Sequence, residues 1–376
     1  MRMTTIYHLL DERESFSERD GGAISRWAGN VLCGGDEIVV CPSYDLSWKF
    51  PSERIYQLPR WDFSGPIHRL VYRHRLPWKL QEVIYRTVFR PLLQKLKEGD
   101  IVYVHNRPQY AAVLATLATR VGARVVLHMH NSHLVKSSRG QLAALRNVPV
   151  VFCSEFLRRE ADTALPNHFQ KTWVVYNGAD GSLFRSAEQR SRSTPTVIFT
   201  GRLQPYKGVH ILMEAMRILQ ARQVDVKCMI VGASGFGRSK GTRYTRHLRR
   251  LKPENTELVG YKSGEALASL LGSADIFCAP SIFGDPFPLA PVEAMAVGLP
   301  VVASNVGGLP EALAYGGGVL VPPEDPEALA RVLESLLGDL RRREELGREA
   351  YACFKSHFTW NNVRNQYQRV VQSMTS

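Results

Sequence analysis

The second half of this chain alternates short apolar, β-rich runs with helical stretches, and no other feature restricts its fold as strongly. The runs are 196–200 (TVIFT), 226–231 (VKCMIV), 256–259 (TELV), 276–279 (IFCA), 300–303 (PVVA) and 318–321 (GVLV). Helical patterns lie between them at 207–222, 265–273, 289–297 and 325–338. Strands that are apolar throughout and joined by helices predict a parallel sheet covered on both faces. The first half repeats the arrangement less regularly, with strands near 4–10, 37–41, 101–105, 123–130, 149–153 and 172–176. A polar stretch ending in proline, 185–195 (RSAEQRSRSTP), reads as a linker. At 376 residues the chain has room for two such domains. The expected fold class is therefore α/β, with two doubly wound Rossmann-like domains, 1–190 and 191–357, facing a central cleft. Ligands of such sheets bind beyond the carboxyl ends of the strands, so the loops that follow strands carry the functional signal.

Composition narrows the functional classes. Apolar residues make up 44%, which suits substantial cores and excludes disorder and small disulfide-stapled scaffolds. No apolar run approaches the ~18 residues of a spanning helix, and the opening MRMTTIYHLLDERES lacks the apolar core of a signal peptide. Six cysteines (33, 41, 153, 228, 278, 353) stand singly, so a reduced, cytoplasmic protein without structural zinc is expected. The net charge of +13 is unevenly spread: residues 51–150 carry 16 basic and 5 acidic side chains, 201–250 carry 11 and 2, and 251–350 sum to −8. Such asymmetry fits an anionic partner (phosphates, nucleic acid or a membrane surface), or a solvated basic face.

Three post-strand loops stand out. Gly201-Arg202-Leu203-Gln204-Pro205-Tyr206-Lys207-Gly208 follows TVIFT and leads into a helix. A planar guanidinium fork and a mobile ammonium five residues apart suit a diphosphate, although a surface turn with incidental charges has the same appearance. The segment Asp285-Pro286-Phe287-Pro288-Leu289-Ala290-Pro291-Val292-Glu293 follows IFCAPS and places a second carboxylate eight residues after the first, inside a helix. A helix start favours phosphate, and a carboxylate nearby can accept from both hydroxyls of a ribose; alternatively, Glu293 only stabilises its own helix. Ser304-Asn305-Val306-Gly307-Gly308-Leu309-Pro310-Glu311 is a strand–glycine turn–helix junction, read either as a close approach to ligand or as an ordinary tight turn.

Other signals are weaker. Asp20-Gly21-Gly22-Ala23 precedes a helix and is a possible anion-facing loop. Gly232-Ala233-Ser234-Gly235-Phe236-Gly237 has G-x-x-G-x-G spacing, not the G-x-G-x-x-G of dinucleotide enzymes, which argues against a nicotinamide dehydrogenase. His128-Met129-His130-Asn131-Ser132-His133 ends a strand with two histidines on one face. No acidic residue occurs from 101 to 150, so a single ligand-facing histidine is favoured there over a metal site. Nucleic-acid binding is not expected, because no recognition module accompanies the basic regions.

Taken together these loops resemble the retaining GT-B glycosyltransferases of family 4 (glycosyl transferases group 1). The resemblance runs over nearly the whole chain and is most specific at 197–310. GRLQPYKG is similar to the family's Arg/Lys diphosphate loop, and Asp285 to Glu293 to its E-x7-E motif, followed by AMAVGLPVVAS and GGLPE. Tyr176-Asn177-Gly178-Ala179-Asp180 matches its NGVD-like turn, and Phe358-Thr359-Trp360 the start of its terminal crossover helix, 358–376 here.

The resemblance implies an N-terminal acceptor-side domain and a C-terminal nucleotide-sugar domain. It implies that Arg202 and Lys207 hold the donor diphosphate, and that Glu293 holds the ribose with the amides of Leu289 and Ala290 facing phosphate and sugar. Asp285 would reach sugar hydroxyls, His130 would lie beside the transferred sugar, Gly21 and Gly22 would shape the acceptor side, and the base would lie near Gly260 and Tyr261. The implied activity is transfer from a nucleoside-diphosphate sugar to a glycan or lipid-linked acceptor with retention of configuration, in cell-surface polysaccharide or lipopolysaccharide assembly. Neither a cofactor nor a metal is implied; the alternative is a non-catalytic nucleotide-binding or scaffold relative.

Two positions depart from the pattern: Asp285 stands where Glu is usual, and Pro288 where glycine is common, removing one N–H donor. Segment 66–98 holds eight basic and two acidic residues, with Leu80, Val83, Ile84 and Val88 at helical spacing. It could dock peripherally on an anionic inner leaflet through Trp78 and cations such as Arg73, Arg75, Lys79, Arg86 and Arg90, or pack its apolar stripe on the domain's own sheet.

Overall fold

Two parallel sheets organise the chain, and both arise from the apolar runs read in the sequence. The computed structural model describes residues 4–11, 14–17, 22–32, 35–44, 50–58, 76–184, 194–235 and 241–375. Gly21, Arg73, Arg75, Cys33 and nearly all of the linker lie outside them. The chain divides into two units, Met1–Tyr176 with Arg364–Ser376, and Asn177–Val363. The division thus falls after Tyr176, ahead of the polar stretch at 185–195.

The first unit contains β1 (Ile6–Leu9), β2 (Ser15–Phe16), β3 (Ile38–Cys41), β4 (Ser43–Tyr44), β5 (Ile55–Gln57), β6 (Ile101–His105), β7 (Arg124–Met129), β8 (Val150–Phe152) and β9 (Thr172–Val174). Seven of them form one sheet in the order β5-β3-β1-β6-β7-β8-β9, while β2 and β4 pair separately. The short β2, β4 and β5 were not legible as strands. The second unit contains β10 (Thr196–Thr200), β11 (Lys227–Val231), β12 (Thr256–Gly260), β13 (Ile276–Ala279), β14 (Val301–Ser304) and β15 (Gly318–Val321), ordered β12-β11-β10-β13-β14-β15. Every neighbouring pair is parallel. Strand order reverses at β1/β6 and at β10/β13, so each sheet opens a crevice where the loops after those strands diverge.

In the second unit, the helices Val209–Ala221 and Pro326–Gly338 cover one face of the sheet. Met213, Met216, Leu333 and Leu336 interlock there with Val197, Phe199, Ile230 and Ile276. Asp325 caps the second of these helices by accepting from Ala328 N at 2.8 Å, with Pro326 at its first position.

The first unit buries an unusual polar face. His8, Tyr103, His105 and His128 are all fully buried on the central strands, with His8 in register with Tyr103 and His105 with His128. Trp27, from the helix Ala23–Val31, meets the His128 ring edge-on at 5.0 Å, and Tyr367, from the helix Trp360–Thr375, meets Trp27 at 5.5 Å. Arg364 fastens the C-terminal helix in place by donating to the carbonyls of Asn30 (2.6 Å) and Val31 (3.0 Å) at the end of Ala23–Val31.

A hydrogen-bonded row crosses this face. His8 Nε2 lies 2.9 Å from the Tyr367 hydroxyl, His8 Nδ1 3.1 Å from His105 Nε2, and His105 Nδ1 3.2 Å from His130 Nε2. Each contact joins one donor to one acceptor, so the tautomers of the neutral His8, His105 and His130 rings are coupled along the row. Burial pulls His8 and His130 down to about 3 and holds His105 and His128 well below the usual histidine range, with the neighbouring rings adding to it for those two.

These four rings fold neutral but become protonated below about pH 6.5 in the unfolded chain, which therefore binds more protons there. Stability is complete above that value and falls as the pH drops toward the depressed folded values. At pH 5.5 each ring should cost roughly 1.4 kcal/mol. Denaturant unfolding of the first unit at pH 7.5 and 5.5 should show a marked loss at the lower pH, and an equal midpoint would contradict neutral burial.

Candidate functional site

In the second unit the three sequence motifs converge on one another at the β10/β13 reversal. Gly208 has φ +68°, and a Cβ there would lie 1.7 Å from the Pro280 carbonyl oxygen, so only glycine lets the first loop reach the second. Ile282 N donates to Tyr206 O at 2.9 Å across the same contact. Lys207 Nζ forms an ion pair with Asp285, and both side chains are largely buried. Arg202 remains exposed, with its guanidinium donating to the Tyr206 hydroxyl at 2.8 Å.

The third motif serves the second. Gly308 N donates to Asp285 O at 2.8 Å, and a Cβ on Gly308 would lie 1.9 Å from the Pro286 carbonyl oxygen. The close approach that this glycine pair permits is thus to the chain's own Asp285–Pro286 backbone. From the other side, the buried Asn177 donates to Phe287 O at 3.3 Å, and Ala179 N donates to Phe358 O at 3.0 Å. Phe287 and Phe358 pack ring to ring at 5.5 Å. The Asn177–Asp180 turn and the Phe358 segment therefore buttress the acidic loop.

This loop ends in the helix Leu289–Ala296, with Pro288 as its cap residue. Leu289 and Ala290 are its first two residues and carry amides that a helix leaves without an intrahelical acceptor. Pro291 supplies none, so the donors are few and fixed. Glu293 lies beyond the first turn, 7% exposed, among the buried residues Val292, Ala294, Met295 and Ala296. A carboxylate held there is poorly placed to serve the helix's own N-terminus.

A fourth loop adjoins the first: Leu203 N donates to Ala233 O and Gln204 Nε2 to Ser234 O, both at 2.8 Å. Gly232 N donates to Gly260 O at 2.8 Å, which places the end of β12 beside it, and Tyr261 follows, 36% exposed.

In the first unit, Gly22 starts the helix Ala23–Val31. Its amide and that of Ser25 (3.0 Å) bond the Glu14 carboxylate, whose pKa burial raises and those amides lower. The expected anion-facing helix start is therefore occupied by the chain's own acid. His130 ends the histidine row, its Nε2 on His105. Ring nitrogens of His105, His128 and His130 lie within 4.8 Å of one another, with no acidic or thiol side chain joining them among the described residues. His133, the third histidine of the sequence pattern, is exposed. His8, His105 and Tyr367 were missed; the signal was a histidine at the buried end of three separate strands, IYHL, IVYVH and RVVLHM.

No described helix is long and apolar enough to cross a membrane. In the helix Trp78–Leu93 the sequence stripe splits: Gln81, Tyr85, Val88, Phe89 and Leu92 are buried, whereas Leu80 and Val83 are 50% and 60% exposed.

Comparison with known proteins agrees with this geometry. The family described as glycosyl transferases group 1 matches residues 183–352. The spore coat protein SA of Bacillus subtilis is 27% identical over 292 residues, 72% of this chain and 77% of that protein. A phosphatidyl-myo-inositol mannosyltransferase of Mycolicibacterium smegmatis is 29% identical over 300 residues, covering 76% and 75%. Among solved structures, sucrose-phosphate synthase from Thermosynechococcus elongatus superposes with a TM-score of 0.76 at 21% identity, over 99% of both chains. Anabaena Alr3699/HepE, in complex with UDP and glucose, gives 0.74 at 20% identity, over 99% of this chain and 100% of that one. With its paired cation and acid, its helix-start amides and its buried glutamate, the region 183–352 belongs to the glycosyl transferases group 1 family, and the chain has the GT-B fold.

Proposed function

We propose that the protein transfers a sugar, with retention of anomeric configuration, from a nucleoside-diphosphate sugar to a glycan or lipid-linked acceptor in cell-surface polysaccharide or lipopolysaccharide assembly. The observation that carries the reading is the Lys207–Asp285 pair beside the start of Leu289–Ala296, with Glu293 buried one turn further on. A diphosphate arriving at that helix start competes with Asp285 for the ammonium of Lys207. Asp285, once released, is an acceptor for sugar hydroxyls. Arg202, exposed on the same loop, supplies the second cation, and Glu293 accepts from the ribose diol.

As the anomeric C–O bond breaks, negative charge grows on the leaving diphosphate and positive character on the sugar. Lys207, Arg202 and the amides of Leu289 and Ala290 stabilise the growing anion without reorganising. His130, neutral and held by His105, is assigned to the transferred sugar, Gly260 and Tyr261 to the base, and Gly21 and Gly22 to the acceptor side. These residues meet the needs of the reaction without a cofactor or metal. The relatives support the substrate class by name: a phosphatidyl-inositol mannosyltransferase, a structure holding UDP-glucose and a lipopolysaccharide outer core galactosyltransferase.

Glu293→Gln should weaken the bare nucleoside diphosphate, not only the sugar nucleotide, by about 1.5–3 kcal/mol. Unchanged affinity in a folded variant, read by calorimetry, would remove Glu293 from the ribose. Arg202→Ala and Lys207→Ala should each lower kcat by roughly a hundredfold or more while donor affinity changes less. A raised KM with near-normal kcat would place them in uniform binding instead. Steady-state kinetics across a panel of UDP-, GDP- and ADP-sugars would measure this and identify the donor.

The split stripe of Trp78–Leu93 supports peripheral attachment at the inner face of a membrane. Its buried half packs inside the unit and leaves Leu80 and Val83 outward between Lys79, Arg86 and Arg90, with Arg86 held at 2.6 Å from Glu82. Exposed apolar side chains flanked by cations suit an anionic leaflet, each well-placed cation adding about 1 kcal/mol. Leu80→Asp/Val83→Asp should abolish co-sedimentation with anionic vesicles at low salt. Equal sedimentation of variant and parent would end the assignment of this face.

A further inference from the structure

The helix Arg243–Leu251 carries Arg243, Arg246, Arg249 and Arg250 and no acidic residue. It is firmly anchored: Thr245 and Leu248 are buried, Thr242 and Thr245 form a reciprocal cap, and the Tyr244 hydroxyl lies 2.9 Å from His210 Nδ1. Arg243, Arg246, His247 and Arg250 fall at i, i+3, i+4 and i+7, hence on one face, and all four are exposed. With Tyr244 and with Pro205 from the motif loop, they line a concavity of about 720 Å³. That volume is within the range of small-molecule sites.

Apart from Arg202, the exposed arginines in the rest of this unit are ion-paired among the described residues. Arg217 pairs with Glu214, Arg222 with Glu327 and Glu334, Arg331 with Glu327, Arg341 and Arg342 with Glu345, and Arg348 with Glu344. Among the described residues, no ion pair is made by any of the four arginines of Arg243–Leu251. Helix electrostatics does not account for them either. Arg249 and Arg250 suit the negative C-terminal end, but Arg243 is the first helical residue, at the positive end, and Arg246 repels both Arg243 and Arg250. An anion in the concavity offsets this repulsion, and planar guanidinium forks match phosphate oxygens best.

We propose that this concavity binds a phosphate-bearing ligand, as a second anion site beside the donor loop, with Arg243, Arg246 and Arg250 supplying the contacts. The inference does not depend on the assignment of the donor residues.

The test is calorimetric titration of the full chain with inorganic tripolyphosphate and, separately, with UDP. Arg246→Gln/Arg250→Gln should weaken tripolyphosphate by about tenfold or more and leave UDP within about twofold, because each lost pair is charge-assisted. Arg202→Ala should leave tripolyphosphate affinity within about twofold. Tripolyphosphate affinity that is unchanged in the folded double variant, or that is abolished by Arg202→Ala alone, overturns the proposal. Co-sedimentation with phosphatidylglycerol and with phosphatidylcholine vesicles identifies the source. Loss of phosphatidylglycerol binding in the double variant places the phosphate on a lipid headgroup. Retained vesicle binding with lost tripolyphosphate binding places it on a soluble ligand. A wild-type chain that binds neither probe overturns it as well.

Discussion

The site of the second unit depends on one constraint: backbone must touch backbone where strand order reverses. The loop after β10 can meet the loop after β13 only because Gly208 has no side chain to strike the Pro280 carbonyl. That contact brings Lys207 to Asp285 and holds both away from water. The loop after β14 closes the arrangement from behind, with Gly308 against Pro286. Three segments far apart in sequence are thereby fixed with few side chains spent on the fixing. The groups that remain (an ammonium, a guanidinium, helix-start amides and two carboxylates) are those the proposed sugar-nucleotide site uses. Preorganisation here is a property of glycines and carbonyls, and the charged residues take advantage of it.

The first unit solves a different problem. A sheet face bearing three histidines and a tyrosine is an expensive core, since each buried polar atom left without a partner costs roughly 1–3 kcal/mol. Both ring nitrogens of His128, Nδ1 of His130 and the Tyr103 hydroxyl have no partner among the described residues. A purely structural core would replace these groups by aliphatic ones. Their cost is offset in part by the row through Tyr367, His8 and His105, which satisfies five ring nitrogens and holds the orientation of His130. A residue whose orientation is supported through three neighbours is held as functional side chains are held, by partners locked in turn.

The two units differ in how much of this was legible. In the second, apolar strands with both faces covered announce themselves, and β10 and β13 fall on the residues read from sequence. The pairing of Lys207 with Asp285 is a matter of strand order, which no local pattern encodes, so the two residues could be named but not joined. In the first unit the weak points were short strands and shared faces. β2 and β4 are two residues each, below the length at which alternation has meaning. The Trp78–Leu93 stripe was read from spacing alone. The structure divides it because Gln81 and Tyr85 turn inward and occupy the covered face, leaving Leu80 and Val83 outside. Glu14 was invisible as the occupant of the Gly22 helix start, since nothing in local sequence shows a residue folding back onto amides eight and eleven positions later.

The two departures from the family pattern can be read together. Pro288 removes an amide at the entry to Leu289–Ala296, and Pro291 removes another, so the helix offers its anion fewer donors than an ordinary first turn. Asp285 is a methylene shorter than glutamate, yet its carboxylate already meets Lys207. A shorter acid in salt-bridge contact keeps the ammonium close to the loop. In the proposed donor site the mobile charge of Lys207 takes over part of what a rigid N–H would supply. A point charge tolerates more variation in ligand geometry than a fixed N–H does. On the proposed function, selectivity for the sugar then falls more heavily on the Asp285 carboxylate.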